Sequence, residues 1–484
     1  MRSAARHTAA GGGGGLTDPP TGSFTQEHHM SSFFATRDCR PEYKPREYNR
    51  PVLDNAGPAD GLSHWWCGQC KAAWKRGDAE LMQELRSLTF QVGTDPRSLH
   101  EAYEYLRRYG GRAPGPDGVT YANLARCDMW EECRKVSAAL RSEQYQVDDP
   151  QPTWIGKPGG GRRPISLYNI FDRIVGRALA LTLTPLLAPG FTDAYGGLPR
   201  LGPPAAFAAA FQIVREHSRW TWLANDVVGA FDFIPRGRLF NLFARFPQPL
   251  VGLLEQLSKT CLQTGKGIGQ GSPTSMLLLH VYVNHFHDRL LRAEFPPLRP
   301  LRYADDMLIM CDSRQQANEV DAYQRKCLQD AGLKLKFGVD EAIADLNEGG
   351  HTDWLGMRVR RGSYYLLDGE ITEEAWISLA GKLRRAQVME VPQSVRRSAL
   401  YSWLGYFALC YRDSARDTVV RRLVSLAKVH GVSAIKGSSL REHWRCSWLT
   451  FAKQLHGLVL QPSSERSGSF PGQRASHSRR DNAE

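Results

Sequence analysis

The spacing of apolar residues separates an unpatterned start from a patterned interior. Residues 1–60 are rich in Gly, Pro, Ser, Thr and Arg and contain few apolar clusters, which predicts a disordered leader. In residues 61–90 leucines recur at helical spacing, so this stretch is predicted to form an N-terminal helical extension. The leucines that share one face of it are Leu81, Leu85 and Leu88.

Residues 91–361 alternate short apolar segments with amphipathic ones, a mixed pattern of strands and helices. One helix is predicted from residue 167 to 178 and beyond, and Pro189 with Gly190 ends it. Three charged residues are left on the side opposite its apolar face, namely Asp172, Arg173 and Arg177. The apolar face consists of Leu167, Ile170, Phe171, Ile174, Val175 and Ala178.

Beyond residue 361 the pattern becomes mostly helical. Residues 362–461 are predicted to form a helical domain, and residues 462–484 return to Ser, Gly and Arg, which predicts a disordered basic tail. The positions in the helical domain that are expected to be buried are Leu379, Leu383, Leu400, Trp403, Leu404 and Phe407.

The charge balance narrows the choice of partners. The chain has 62 Lys and Arg against 50 Asp and Glu, a net charge of +12. A basic surface favours phosphate-bearing partners, nucleic acid before an anionic membrane. No apolar stretch is long enough to cross a bilayer, and the N-terminus lacks the apolar core of a secretory signal. We therefore expect nucleic acid and no membrane.

The ten cysteines form no disulfide-like framework, which fits a cytoplasmic location. Cys67 and Cys70 have the spacing of half a zinc site, but a second pair at similar spacing is missing. A structural role for these two cysteines is favoured, with zinc as the alternative.

The sharpest chemical feature is a pair of adjacent acids between two apolar segments. Residues 301–310 read LRYADDMLIM, which predicts a hairpin with Asp305 and Asp306 at its tip and with Leu308 and Met310 or their neighbours buried. Adjacent carboxylates repel each other unless a cation lies between them. An Asp-Asp turn alone is common, so this motif needs support from elsewhere in the chain.

That support comes from a second segment. Residues 221–226 (TWLAND) predict an apolar strand that ends in Asp226. If this strand lies beside the hairpin, it completes a cluster of three carboxylates. Such a cluster can hold two magnesium ions about 4 Å apart and so support phosphoryl transfer by positioning and charge.

The ordered set of motifs resembles the reverse transcriptase family. Tyr303 to Asp306 is similar to the YxDD box, and the segment from Asp226 to Asp232 resembles the palm motif with the third metal ligand. Further matches follow in family order. They are GPDGVT at 115–120, Lys157 with RRPI at 162–165, Asp172-Arg173, FTDAYGGLP at 191–199, GQGSPTS at 269–275 and WLG at 354–356. Residues 398–407 resemble the helical thumb of group II intron-type enzymes.

The resemblance implies an α+β fold, a right-hand polymerase with fingers and palm over residues 91–361 and a thumb over residues 362–461. It implies that Asp226, Asp305 and Asp306 are catalytic and hold two Mg²⁺ ions, for which Mn²⁺ can substitute. The partners implied are an RNA template, a DNA or RNA primer and dNTPs.

Other roles also follow from the resemblance. Phe231 takes the place of the aromatic gate against the ribose 2′-hydroxyl. Gln270 and Gly271 line the nucleotide pocket, while Lys157 and Arg163 meet the triphosphate; for these two the alternative is a solvated basic loop. The primer grip corresponds to Trp354, Leu355 and Gly356.

The chain departs from the family pattern at three places. Gly269 stands where proline is usual, the arginine of the SYGFRP stretch is displaced or lost, and the Lys-Thr of a later stretch is missing. Lys336 is the candidate to replace that lysine as proton donor to pyrophosphate.

The function predicted is RNA-directed DNA synthesis. No cysteine-paired endonuclease block follows the thumb-like segment, so the expected setting is a stand-alone bacterial enzyme of the kind used in antiviral defence. The alternative is a group II intron-derived maturase that acts mainly by binding structured RNA.

Overall fold

The structure is a computed structural model that describes residues 61–156, 161–262, 264–362, 367–388, 391–407 and 413–459. The predicted leader (1–60) and tail (462–484) lie outside the described residues, and so does Lys157.

Among the described residues, five helices precede the first strand, helices and strands are then mixed up to Ile371, and helices follow one another after it. The strands are β1 (Gln151–Gly156), β2 (Arg162–Leu167), β3 (Ala194–Tyr195), β4 (Thr221–Asp226), β5 (Leu301–Tyr303), β6 (Asp306–Cys311), β7 (Ile343–Asp345), β8 (Thr352–Trp354), β9 (Met357–Arg361) and β10 (Leu367–Ile371). The first helices are α1 (Leu62–Arg76), α2 (Ala79–Gly93), α3 (Pro96–Tyr109), α4 (Tyr121–Leu124), α5 (Met129–Arg141), α6 (Ile170–Leu187), α7 (Pro203–His217), α8 (Ala230–Phe233) and α9 (Arg236–Asn241). The remaining helices are α10 (Gln248–Leu257), α11 (Ser275–Val283), α12 (Arg289–Glu294), α13 (Arg314–Asp330), α14 (Val339–Ala342), α15 (Glu373–Val388), α16 (Gln393–Phe407), α17 (Asp413–Val429) and α18 (Gly437–Val459).

The central sheet has five strands in the order β3-β5-β6-β4-β7. Its pairs are antiparallel except for β3 and β5, which run parallel. The middle strands read as continuous apolar runs because helices cover the sheet, and Trp222, Leu308 and Met310 are all buried. The predicted α+β class is confirmed.

The N-terminal helical extension consists of two helices, because the chain turns at Gly77 in the left-handed conformation. Trp66 of α1 is buried and its indole N–H donates to the carbonyl of Thr182 on α6. Cys70 is buried on α1 and Cys67 is partly buried. Burial raises the pKa of both thiols.

The charged side of α6 is buried, contrary to the pattern of an amphipathic surface helix. Arg173 donates to the carbonyls of Gly111 and Ala113, and the guanidinium of Arg177 lies 4.0 Å from the ring centre of Tyr105. Periodicity missed this because the polar face meets backbone carbonyls and an aromatic ring instead of water.

The C-terminal part is mostly helical, as predicted. A small antiparallel sheet, β10-β9-β8, precedes the helices and crosses the expected domain boundary at residue 361. Most of the positions expected in the core are buried there, with Trp403 half-buried. In the described part of the chain, none of the helices has the length and apolar character to span a membrane.

Candidate active site

The tip of the β5–β6 hairpin carries two adjacent carboxylates. Tyr303 pairs with Asp306 across the hairpin, and Ala304 and Asp305 form the turn. Ala304 has a φ of 56°, which L-residues other than glycine rarely adopt. The predicted hairpin and the predicted burial of Leu308 and Met310 are confirmed.

The third carboxylate lies beside this tip. β4 pairs with β6 so that Asp226 is opposite Asp306, and the N–H of Val227 donates to the carbonyl of Asp305 at 3.3 Å. Cross-strand neighbours of this kind lie about 5 Å apart. The structure thus brings together the three aspartates that the two motifs supplied separately.

Burial and neighbouring carboxylates raise the pKa of Asp305 and Asp306. Burial, and then the charge of Asp226, raise the pKa of Asp305 to about 6. Burial and the other two aspartates raise the pKa of Asp306 well above its usual value. For Asp226 burial also raises the pKa, although Lys336 opposes the shift. Crowded, half-desolvated carboxylates favour a cation between them.

The donor set fits a hard divalent cation such as Mg²⁺, which prefers oxygen ligands. Among the described residues, however, no group of three or more His, Cys, Asp or Glu side chains is arranged to hold a metal ion. The three backbones are neighbours, but their carboxylates do not converge. If the three carboxylates turned toward one another, their mutual repulsion would increase unless a cation lay between them. That these aspartates bind magnesium therefore stays a prediction.

Lys336 supplies a positive charge at this place. Its Nζ lies 3.6 Å from Oδ2 of Asp226 and 4.8 Å from the ring centre of Phe337. Backbone pairing fixes the segment, since the N–H of Lys336 donates to the carbonyl of Asp226 at 2.8 Å. Asn225 adds two side-chain hydrogen bonds to the backbone of Phe337. Lys336 is thus beside the site although the usual Lys-Thr is missing.

The loop with Gln270 and Gly271 is fastened to strand β2. The N–H of Ser166 donates to the carbonyl of Gln270 at 2.7 Å. Gly271 has a φ of 116°, and a Cβ there would lie 2.5 Å from the carbonyl oxygen of Ser166. Only glycine allows this close approach of the two backbones.

The departure at Gly269 has a structural reason. A Cβ at this position would lie 2.0 Å from the hydroxyl oxygen of Tyr168 and 2.5 Å from the carbonyl oxygen of Lys259. The N–H of Gly269 also donates to the carbonyl of Ser258 at 2.9 Å. Proline would collide with the tyrosine and lose this hydrogen bond.

Two of the predicted nucleotide contacts can be located. Phe231 lies half-buried on α8 and packs against the core, while its carbonyl accepts a hydrogen bond from the N–H of Ile268 at 2.7 Å. Arg163 is exposed on β2, and its charge lowers the pKa of both Asp226 and Asp305. Lys157 lies outside the described residues.

The predicted primer grip is the turn between β8 and β9. Trp354 is buried and its ring meets that of Phe207 edge-on at 4.9 Å. Leu355 is also buried and has a φ of 51°, and its carbonyl accepts a hydrogen bond from the hydroxyl of Tyr406 at 3.2 Å. A Cβ on Gly356 would lie 3.3 Å from the ring of Phe407. This turn therefore packs against α16, and its contact with a primer stays a prediction.

The hydrophobic pattern does not indicate three buried polar residues behind the hairpin, Arg302, Asp288 and His280. Arg302 precedes the YxDD box, but a single basic residue in an apolar strand carries no periodic signal. The other two lie on or next to α11, which reads as an apolar helix.

Comparison with known proteins identifies the domain. Residues 155–338 match the model of the reverse transcriptase (RNA-dependent DNA polymerase) family. The chain is 26% identical over 351 aligned positions to Protein YkfC of Escherichia coli (strain K12), covering 61% of this chain and 88% of that protein. It is 25% identical over 179 positions to an uncharacterized 91 kDa protein in cob intron of Schizosaccharomyces pombe, covering 34% of this chain and 22% of that protein.

Solved structures give weaker similarities. Telomerase from Candida albicans, in complex with a fragment of telomeric RNA, is 10% identical to this chain, and the TM-score is 0.34. The match covers 69% of this chain and 71% of that chain. A chain of a Cas6-RT-Cas1–Cas2 complex is 15% identical to this chain, and the TM-score is 0.30. The match covers 77% of this chain and 51% of that chain.

The matched range contains the hairpin, strand β4, the loop with Gln270 and Gly271, and Lys336. The site described above and the family match thus fall in the same part of the chain. The chain thus contains a domain, residues 155–338, that matches the reverse transcriptase (RNA-dependent DNA polymerase) family.

Proposed function

We propose that the protein copies an RNA template by extending a DNA or RNA primer with dNTPs, and that Asp226, Asp305 and Asp306 hold the two magnesium ions of this reaction. The register of β4 and β6 carries the proposal, because it sets Asp226 opposite Asp306 with Asp305 next in the chain. Bound magnesium would supply the positive charge that phosphoryl transfer requires at the reacting oxygens.

The chain's own residues have separate tasks in this proposal. Arg163 would bind the triphosphate. Its exposure on β2 supports this role, and so does its charge, which lowers the pKa of Asp226 and Asp305 against the effect of burial. Guanidinium can donate two hydrogen bonds to a phosphate at once. Lys336 leaves Asp226 and donates a proton or a hydrogen bond to the departing pyrophosphate.

The nucleotide itself meets the other side of the pocket. The close contact of Gly271 with Ser166 holds the pocket loop against β2, so that the loop and the fingers strand move as one unit. Phe231, on the first turn after β4, forms the wall beside the sugar. A half-buried ring is stiff enough to exclude a 2′-hydroxyl.

The setting we propose is a stand-alone bacterial enzyme in antiviral defence. The second candidate is a maturase that holds one structured RNA, and the relative named for the cob intron favours it. That alignment covers 34% of this chain, so it speaks for the shared domain and not for the whole protein.

Primer extension on an RNA template with Mg²⁺ tests the polymerase proposal. We expect extension by the wild type, none with EDTA, and a loss of at least about 1000-fold in Asp305→Ala, since removal of a metal ligand removes most of the charge stabilisation. Asp340→Ala is the matched control, because Asp340 is 96% exposed and pairs only with Arg314 at the surface in the described structure. Wild-type extension by Asp305→Ala would refute the assignment. Tight binding of a single structured RNA without extension would favour the maturase.

A further inference from the structure

Behind the catalytic hairpin lies a buried polar cluster, which we call the hairpin brace and define as Arg302, Asp288 and His280. Arg302, on β5, is 1% exposed. Its Nε and Nη2 donate to the carboxylate of Asp288 at 2.9 and 2.7 Å. Its Nη1 lies 3.1 Å from Nδ1 of His280. A paired guanidinium with this many partners is rigid.

The protonation states follow from the partners. Nε2 of His280 lies 2.7 Å from the carbonyl oxygen of Gly196, which can only accept. Nε2 therefore carries the proton, and Nδ1 accepts from Arg302. Burial, and then the charge of Arg302, lower the pKa of His280 to about 3, so the ring is neutral. Burial opposes the ionisation of Asp288, but Arg302 and His287 outweigh it and hold its pKa well below the usual value.

The brace acts on the residue before the catalytic pair. Nη1 of Arg302 also donates to the carbonyl of Ala304 at 2.8 Å. The N–H of Ala304 donates to the carbonyl of Tyr195 at 2.9 Å. Both polar backbone groups of Ala304 are thus hydrogen-bonded, one to the side chain of Arg302 and one to Tyr195 on β3. Its left-handed conformation is unfavourable for a residue with a Cβ, so it needs such contacts to persist.

The brace also connects the hairpin to the nucleotide pocket. His280 lies on α11, whose first residue, Ser275, donates through its hydroxyl to the carbonyl of Gly269 at 2.8 Å. Asp288 ends the π-helical turn 284–288 that continues α11, and such turns are frequent at functional sites. One rigid unit therefore carries both the pocket loop and the partners of Arg302.

We propose that Arg302 is a positioning residue for polymerisation: held by Asp288 and His280, it fixes the conformation of Ala304 and thereby the direction of Asp305 and Asp306. This inference rests on the proposed polymerase function. Arg302 is too deeply buried to meet a substrate, and its hydrogen bond to the site runs through the backbone of Ala304.

The test separates positioning from simple stabilisation by replacing the buried pair together. Arg302→Met alone would leave the charge of Asp288 buried and unpaired, but Arg302→Met with Asp288→Leu removes both charges, and apolar replacements of buried pairs are often neutral for stability. Arg219→Met is the matched control. Arg219 is a buried arginine that lies two residues before β4, and it pairs with Asp312, which directly follows β6 at the end of the sheet opposite the aspartates.

We expect the double variant to bind primer–template like the wild type and to lose about 100-fold in kcat, the order expected for a misplacement of about 1 Å. Arg302→Lys keeps the charge but cannot reach Asp288, His280 and Ala304 together, so it should lose about tenfold in kcat and serves as the test if the double variant does not fold. Wild-type kcat in a folded variant of either kind overturns the proposal. So does a loss of kcat that is matched in Arg219→Met.

A readout without turnover keeps this proposal distinct from the polymerase proposal. Hydrogen–deuterium exchange should accelerate in the peptide that contains residues 301–311 and in its partner at 193–201, and stay unchanged elsewhere, in both brace variants. Unchanged exchange at the hairpin overturns the positioning role even if the wild type polymerises. Faster exchange in a protein whose wild type shows no extension would instead mean that the polymerase proposal has failed and the brace has not.

Discussion

Gly271 gives a direct test of how the nucleotide loop is built. Its φ of 116° lies in a region that residues with a Cβ rarely adopt, and a Cβ would lie 2.5 Å from the carbonyl oxygen of Ser166 and 3.1 Å from Cγ2 of Ile165. The first of these neighbours is backbone, so it cannot rotate away. Gly271→Ala must therefore either strain the loop or push it off β2.

The cost can be estimated from these contacts. Holding a non-glycine residue at such a φ costs about 1–3 kcal/mol. Overpacking a tight contact costs about another 1–3 kcal/mol. If the loop moves instead, the hydrogen bond from Ser166 to Gln270 is lost, which costs about 1 kcal/mol. We expect Gly271→Ala to lower the free energy of unfolding by roughly 2–5 kcal/mol.

Thermal unfolding and dNTP-dependent primer extension measure the two effects of this change. Because the loop lines the proposed pocket, KM for dNTP should rise along with the loss of stability. Gly237→Ala is the matched control: Gly237 lies inside α9, and a Cβ there would meet nothing within 4 Å. That variant should gain about 0.5–1 kcal/mol. A Gly271→Ala protein with wild-type stability and KM would refute the reasoning.

Three further predictions follow from the same structure. Phe231→Ala should raise incorporation of ribonucleotides relative to deoxyribonucleotides, whereas Phe233→Ala, half-exposed on the same turn, should not change the ratio. Burial raises the pKa of Asp172 to about 7. The free energy of unfolding should therefore fall as pH rises from about 4 to about 7, by at most about 4 kcal/mol. In urea unfolding, Asp172→Asn should show a weaker dependence of this free energy on pH. Binding to unrelated RNA–DNA hybrids should weaken steeply with salt and stay within roughly tenfold of the best RNA, measured by fluorescence anisotropy; a preference of thousands-fold for one RNA would contradict it.

The strands that carry the three aspartates could be predicted because their signals are local. An apolar run that ends in Asp226 and an apolar hairpin that carries Asp305 and Asp306 each identify themselves within about ten residues. The family resemblance then supplied what local pattern cannot, namely that the two segments are neighbours in one sheet. The register of β4 and β6 agrees with both.

The hydrophobic pattern of the sequence could not show which charged residues are buried. By their spacing, Asp172, Arg173 and Arg177 resemble the solvent-exposed face of a helix. Arg302 is a single charged residue in an otherwise apolar strand. All four are buried, because their partners include a hydroxyl, backbone carbonyls, a ring and a carboxylate on other parts of the fold. Hydrophobic periodicity contains no information on such partners, since it reports only which side of an element avoids water.

The same buried polar contacts explain why the strained positions lie where they do. Of the seven non-glycine residues with a positive φ in the described part of the chain, three lie at turns of the sheets that border the site, namely Asp193, Ala304 and Leu355. Asp193 is held by Arg299 at 2.7 Å, Ala304 by Arg302, and Leu355 by Tyr406. The scaffold thus fixes its turns before any substrate binds, which preorganises the site. The repulsion among the three carboxylates remains. Lys336, whose Nζ lies 3.6 Å from Oδ2 of Asp226, offsets only part of it. The remaining electrostatic cost is the free energy that a bound divalent cation would recover, and this is why we expect metal binding to stabilise this protein as well as activate it.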